Sequence, residues 1–377
     1  MIAEILSELV AIPSVNPSVV GGGVTDGEGE LGEFVRHTLA TAGIDVTVQA
    51  VHPGRANIIG HLRRSPTTVD QHVVLLSAHM DTYPASEDGS VEYRPKIREG
   101  RLYGRGSADA KGSLAAMLHA LLGASKAVRR REAYFVASVD EEFGMTGVRK
   151  LTSYGVRATL AITGEPTALQ PIVAQKGIVR FCVRVRGDSS HAAYPSKRNS
   201  ILDLGEILQA TRHFGEILSA SNSDRDLGLP TLSATRLECD GEMNRSPQAS
   251  RVFFDARFLP GDSAEAILER FNTHLRSSVG PNVDFVIEPP LFVSPSNRCP
   301  VETPLVGELF KSIEAVSGRC VPGSFAYGSE AGYLAQMSTA SLVLGPGDPK
   351  HCHAPGESIE LREVEDACRI FQSIIAP

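Results

Sequence analysis

The sequence predicts an α/β domain interrupted by an inserted α+β domain, and three observations carry that prediction. Strand and helix signals alternate as far as residue 163. From about Pro171 the pattern changes to strands with one apolar and one charged face, which continues to residue 288. Helix, strand and helix signals then return. The length of 377 residues agrees, since domains run to roughly 100–200 residues each.

Each element follows from its pattern. Leu31, Phe34, Val35 and Leu39 recur at helical spacing and Gly43 stops the run, which predicts a helix over 30–43. Ile44, Val46 and Val48 alternate as a strand, and 57–62 and 73–78 read as further strands. Residues 113–125 carry Leu114, Met117, Leu118, Leu121 and Leu122, an amphipathic helix. A strand at 133–139, a helix at 147–154 and a strand at 158–163 follow. Strands alternating with helices imply a sheet that is at least partly parallel.

In the insertion, Val179, Phe181, Val183 and Val185 alternate with Arg180, Arg184 and Arg186, a sheet with one wet face. A helix at 200–217, strands at 231–237 and 251–258, a helix at 263–277 and a strand at 283–288 complete a β-α-β-β-α-β order of the ferredoxin-like kind. The Pro-rich stretch 289–300 reads as a crossing back. A helix at 304–316, a strand at 340–344 and a helix at 361–375 end the chain. The expected division is 1–171 with 291–377 for the first domain and 172–290 for the insertion.

Composition excludes several classes. Lys and Arg number 37 against 44 Asp and Glu, a formal charge of −7. A nucleic-acid partner is not expected, because phosphate neutralisation needs a basic surface. With 42% apolar and 21% charged residues the chain is not disordered. Apolar runs such as Val73-Val74-Leu75-Leu76 fall far short of the ~20 residues of a membrane span. Glu4 and Glu8 occupy the stretch where a secretion signal would be apolar, so none is expected. The six cysteines (182, 239, 299, 320, 352 and 368) form no C-x-x-C pair, which fits reduced thiols in the cytoplasm.

Five short segments carry the chemistry. Hydrolytic two-metal sites need carboxylate and imidazole ligands, usually one bridging carboxylate, and a base. The strand at 73–78 leads into His79-Met80-Asp81. Gly104-Arg105-Gly106-Ser107-Ala108-Asp109-Ala110-Lys111-Gly112-Ser113 resembles a phosphate loop but fails the register of G-x-x-x-x-G-K-[ST], which sets nucleotide binding aside. Asp140-Glu141-Glu142 follows a strand, as does Gly164-Glu165-Pro166. Last come Gly345-Pro346-Gly347 and His351-Cys352-His353-Ala354-Pro355-Gly356-Glu357. Singly, each fits a polar turn as well as a ligand.

Together and in this order, the segments resemble the dinuclear zinc amidohydrolases, the family of acetylornithine deacetylase, succinyl-diaminopimelate desuccinylase, aminoacylase and glutamate carboxypeptidase. The resemblance covers essentially the whole chain. It implies a three-layer, zinc-peptidase-like catalytic domain with a ferredoxin-like lid that also forms a homodimer. It implies two zinc ions per subunit, with cobalt as a substitute. His79, Asp109 and Glu165 match the ligands of one ion, and Asp109, Glu142 and His353 those of the other. Glu141 matches the general base and Asp81 the carboxylate that orients His79. His351 competes with His353, and His353 is preferred because it opens His-x-Pro-x-Glu. The resemblance also implies a cis peptide between Asp109 and Ala110.

Within the insertion, the run 187–195, ending Tyr194-Pro195, with Asn199-Ser200-Ile201 resembles the lid motif whose histidine, here His191, steadies the oxyanion in a partner's active site. The segments around Asn244 and Arg257 match lid positions that hold the substrate carboxylate; a surface ion pair serves Arg257 equally well. Residues 324–334, with Ser329-Glu330-Ala331, resemble acetylornithine deacetylases. The expected substrate is a small N-acyl amino acid, foremost N2-acetylornithine. Acetylcitrulline, acetyl-lysine, succinyl-diaminopimelate and dipeptides remain alternatives, as does a non-catalytic amino-acid-binding protein. Ala110 and Gly356 depart from the common Met and Asp/Asn, and both leave the ligand set intact.

Overall fold

The computed structural model describes residues 2–19, 27–85, 93–194 and 196–376, so Pro195 of the lid motif lies outside the described residues. The chain forms two compact units: Met1–Val173 with Arg298–Gly323 and Ser329–Pro377, and Ala174–Asn297 with Ser324–Gly328.

The first unit opens with α1 (Ile2–Ala11) and α2 (Gly27–Thr41), then β1 (Asp45–His52), β2 (Arg55–Leu62) and β3 (Val73–His79). Short strands β4 (Lys96–Arg98) and β5 (Arg101–Tyr103) precede α3 (Gly112–Ser125), β6 (Glu132–Ser138), α4 (Thr146–Leu151), β7 (Ala158–Thr163) and β8 (Ile172–Gln175). Helix α1 was not expected from the sequence, although Ile2, Leu6, Leu9 and Val10 form its buried face. Helix α3 differs from its expected amphipathic form. It is buried on most sides, and Ala115, Ala116, Ala120 and Ala124 all face protein, as in a helix enclosed by its neighbours.

The second unit, entered at Ala174 within β8, contains β9 (Gly177–Arg186) and α5 (Ser200–Ser221), followed by β10 (Thr231–Cys239), β11 (Ala249–Phe258), α6 (Ala264–Ser278), β12 (Asp284–Ile287) and β13 (Phe292–Ser294). Its antiparallel order is β10-β11-β9-β12, with β13 beside the first half of β9. The Pro-rich stretch is therefore not just a crossing. Phe292 to Ser294 pair with Arg180 to Ile178, which carries the unit on to Asn297. Side chains Asn199 and Ser263 cap the two helices by accepting backbone N–H groups. Phe181, Phe254 and Phe271 meet at centroid distances of 5.3–5.5 Å in the core between sheet and helices.

The chain returns with β14 (Asn297–Arg298), α7 (Pro304–Ser317), β15 (Gly323–Phe325), α8 (Ala331–Leu334), β16 (Ser338–Val343), β17 (Ser358–Glu360) and α9 (Leu361–Ile375). The large sheet runs β1-β2-β6-β3-β7-β16 through the first unit. Strands β3, β6, β7 and β16 are mutually parallel, so their carboxyl ends share one edge, the usual place for a ligand in an open α/β sheet. None of the described helices is long and apolar enough to cross a membrane.

Candidate metal centre

The candidate ligands stand at that edge. His79 is the last residue of β3, Glu142 follows β6, Glu165 follows β7, and His353 lies in the loop after β16. Asp109 comes from the turn before α3, where its extended backbone (φ −119°, ψ 96°) breaks the helix. The Asp109–Ala110 peptide is cis. Gly164 permits the close approach of β7 to α3, because a Cβ there would lie 2.7 Å from that of Ser113.

Asp109 faces two histidines with its two oxygens. His79 Nε2 lies 3.2 Å from Oδ1, and His353 Nε2 lies 3.3 Å from Oδ2. Glu165 Oε2 is 3.8 Å from His79 Nε2, and Glu142 Oε1 is 3.1 Å from His353 Nε2. Two ligand groups result, His79–Asp109–Glu165 and Asp109–Glu142–His353, joined by the shared aspartate. Neither Glu141 nor His351 joins them. His79 Nδ1 sits 2.9 Å from the Asp81 carbonyl. An N–H donated there leaves Nε2 as the lone-pair nitrogen, the tautomer a metal ligand needs.

Asp81 does more than face His79. Fully buried, it accepts the backbone N–H of Glu141 on Oδ1 and of Glu142 on Oδ2, both at 3.0 Å. The tight turn that presents these amides starts at Asp140, held at φ 65°, a conformation aspartate tolerates better than most residues. Buried Asn16 donates to both Asp81 (2.8 Å) and Asp140 (2.9 Å), while its own oxygen accepts from Ser18 N–H. Glu357 holds the other side. Its carboxylate accepts from Arg105 Nη1 and from the backbone N–H groups of Gly106, Ala108 and Asp109, at 2.9–3.1 Å. Gly106 is obligatory in that loop: its φ is +80°, and a Cβ would meet Thr82 at 2.5 Å.

The electrostatics favour added positive charge. Burial, then the Glu165 charge, pushes the Glu141 carboxyl well above its usual range. Burial raises Glu142 as well, and lifts Glu165 to about 7. Burial also opposes the charge on Asp109, but hydrogen bonds from His353 and His79 outweigh it and keep that carboxylate ionised. Hydrogen bonds to Asp109 and Glu142 raise His353 to about 10. A cluster of carboxylates larger than its two imidazoles can balance, with two triads sharing one bridging aspartate, fits a pair of divalent cations.

Sequence reasoning overlooked four residues here. Asn16 sits in a loop with no pattern of its own. Glu357 reads in sequence only as the end of a motif. Glu330, from the stretch compared with deacetylases, is fully buried and accepts from Ser77 Oγ and Ser138 Oγ at 3.2 and 3.0 Å. Tyr83 stacks on His353 with ring centroids 4.5 Å apart. A buried polar residue with distant partners leaves no periodic trace in sequence.

Three expected site residues belong to the second unit. His191 is exposed, bridges to Arg245 and accepts the Ala193 N–H on Nδ1 at 3.1 Å. Asn244 is exposed, and its carbonyl accepts from Ala192 N–H. Arg257 makes a two-pronged ion pair with Asp255, at 2.5 and 3.1 Å, on its own strand.

The comparisons with known proteins give the family. Residues 75–376 match the model of "Peptidase family M20/M25/M40". An acetylornithine deacetylase of Myxococcus xanthus is 31% identical over 293 residues, 77% of this chain and 76% of that protein. Another, from Photorhabdus laumondii, is 27% identical over 99% of this chain and 96% of its own length. An M20 family metallo-carboxypeptidase from Sulfolobus solfataricus superposes with a TM-score of 0.74 at 18% identity, covering 99% of this chain and 98% of that one. With a family match that spans every one of the five segments at the sheet edge, the chain belongs to peptidase family M20/M25/M40, as a metal-dependent hydrolase of amide bonds.

Proposed function

We propose that the protein is a cytoplasmic, homodimeric deacetylase that cleaves N2-acetylornithine to ornithine and acetate, in arginine biosynthesis, with two zinc ions per subunit. One observation carries the catalytic reading: Asp109 turns one oxygen to His79 and the other to His353, which is the geometry of a bridging ligand between two cations. The names of the two relatives support the substrate, and free cysteines throughout support a reducing compartment.

His79, Asp109 and Glu165 would hold one ion, and Asp109, Glu142 and His353 the other. Bound there, the pair supplies Lewis acidity that polarises an amide carbonyl and makes water more acidic. Glu141 is the base in this reading. Its carboxyl is raised by burial and neighbouring charge, which suits a group that takes a proton from water and returns it to the leaving amine. Asp81 fixes the backbone on both sides of that base. His191 of a partner chain steadies the carbonyl oxygen, and Asn244 and Arg257 bind the substrate carboxylate.

The dimer reading has a surface to use. β10 is the outer strand of the second unit's sheet and is exposed along nearly its whole length, so it offers an unpaired edge to a second copy.

The test is amine release from a panel of acetylornithine, acetylcitrulline, acetyl-lysine, succinyl-diaminopimelate and dipeptides. Highest kcat/KM on acetylornithine is expected. A higher value on any other member reassigns the substrate, and no hydrolysis of any member removes the catalytic reading.

A further inference from the structure

The two histidines of the centre are held in different ways. His79 is 1% exposed, and its ring is fixed through Nδ1 by the Asp81 carbonyl. His353 has a 42% exposed side chain and a left-handed backbone (φ 57°). Among the described residues its polar partners, Asp109 and Glu142, both meet Nε2, the nitrogen that faces the ligand group. No hydrogen bond among the described residues reaches its Nδ1, so the side of the ring that faces away from the ligand group has no polar anchor among them.

Tyr83 takes that place. Its ring lies against the imidazole with planes 16° apart and centroids 4.5 Å apart, within the range of an attractive stacked pair. Tyr83 also stands on fixed backbone. The Thr82 N–H donates to Ser14 O at 2.9 Å and the Asn16 N–H donates to Thr82 O at 3.0 Å, forming a short parallel bridge. Pro84 restricts the next step of the chain. The stacked ring therefore follows directly on a residue that is hydrogen-bonded on both sides of a backbone bridge.

We propose that Tyr83 is the positioning residue of His353, so that the Asp109–Glu142–His353 group depends on this stack for its metal affinity and the His79–Asp109–Glu165 group does not. The inference rests on the two-metal reading above. An imidazole that gives electron density to a cation through Nε2 becomes electron-poor, and the electron-rich face of a phenol ring favours that state. The contact therefore strengthens as metal binds. Residues that orient a ligand from behind typically contribute 10–100-fold to metal affinity. The phenol hydroxyl has no part in the contact, so phenylalanine is an adequate substitute.

The test uses the full-length chain, stripped with a chelator and titrated with zinc by calorimetry. Wild type is expected to bind two ions in separable steps, one of which disappears in His353→Ala. Tyr83→Ala should weaken that same step about 10- to 100-fold and leave the other unchanged, with the thermal midpoint of the metal-free chain unaltered. Tyr83→Phe should restore both affinities. Wild-type affinities in Tyr83→Ala, an equal loss in both steps, or failure of Tyr83→Phe to restore would overturn the role of Tyr83 while two-metal binding by wild type stands. Fewer than two ions bound by wild type would overturn both readings.

Discussion

Glu357→Gln perturbs the centre without touching a ligand. Glu357 and Arg105 are each 2% exposed. One carboxylate oxygen accepts from Arg105 Nη1 and Gly106 N–H, and the other from the N–H groups of Ala108 and Asp109. Glutamine keeps the volume and one accepting oxygen, but turns an NH2 group toward two donors. The buried Arg105–Glu357 ion pair is then broken from the Glu357 side, and one backbone N–H loses its acceptor. Breaking a buried pair from one side costs about 3–5 kcal/mol. Set against a total stability of about 5–15 kcal/mol, this is a large share. Equilibrium urea unfolding of the metal-free chain should show the loss as a lower midpoint at unchanged slope. Metal titration should show weaker binding at both sites, because the disturbed loop carries the shared Asp109. A change below about 1 kcal/mol, with wild-type metal affinity, would refute the view that Glu357 holds the bridging loop.

Three further outcomes follow from the same geometry. Glu141→Ala should retain both metals by elemental analysis and lose about 10²–10⁴-fold in kcat; loss of a metal would exchange the roles of Glu141 and Glu142. Burial lifts the Glu330 carboxyl to about 7, so the folded chain keeps a proton that the unfolded chain releases, and its contribution to stability is lost as pH rises from the ordinary carboxyl range through 7. Glu330→Gln should therefore raise the urea midpoint of the metal-free chain at pH 8 more than at pH 5, and equal effects at both would contradict this. Leu237→Arg, at a 54% exposed position on β10, should turn a dimer into a monomer in light scattering; an unchanged mass would remove β10 from the interface.

Much of this was legible in the residues themselves. The strands at 158–163 and the helix at 361–375 coincide with β7 and α9, because each combines clear periodicity with clear ends. Helix α1 leaves little trace because its apolar face is short, with four buried residues, Ile2, Leu6, Leu9 and Val10. Strands β4, β5, β8, β14 and β17 are two to four residues long, too short for any period to register. Among the site residues, ligand types and strand-end positions could be read because metal chemistry restricts them. Asn16, Tyr83, Glu330 and Glu357 could not, because their roles depend on partners far away in sequence. Asn16 and Asp140 are 124 residues apart, and Glu330 and Ser77 are 253 apart. Arg257 shows the opposite limit: a motif match suggested a substrate contact, while its own strand supplies Asp255 as a partner.

The central claim is that one aspartate joins two metal groups, and metal content of Asp109→Ala after saturation with zinc tests it most directly. Both groups include Asp109. Wild type is predicted to hold two ions per chain, and Asp109→Ala to lose tight binding at both sites together with hydrolysis of acetylornithine. Loss of a single ion, or two ions retained with activity intact, would contradict the account.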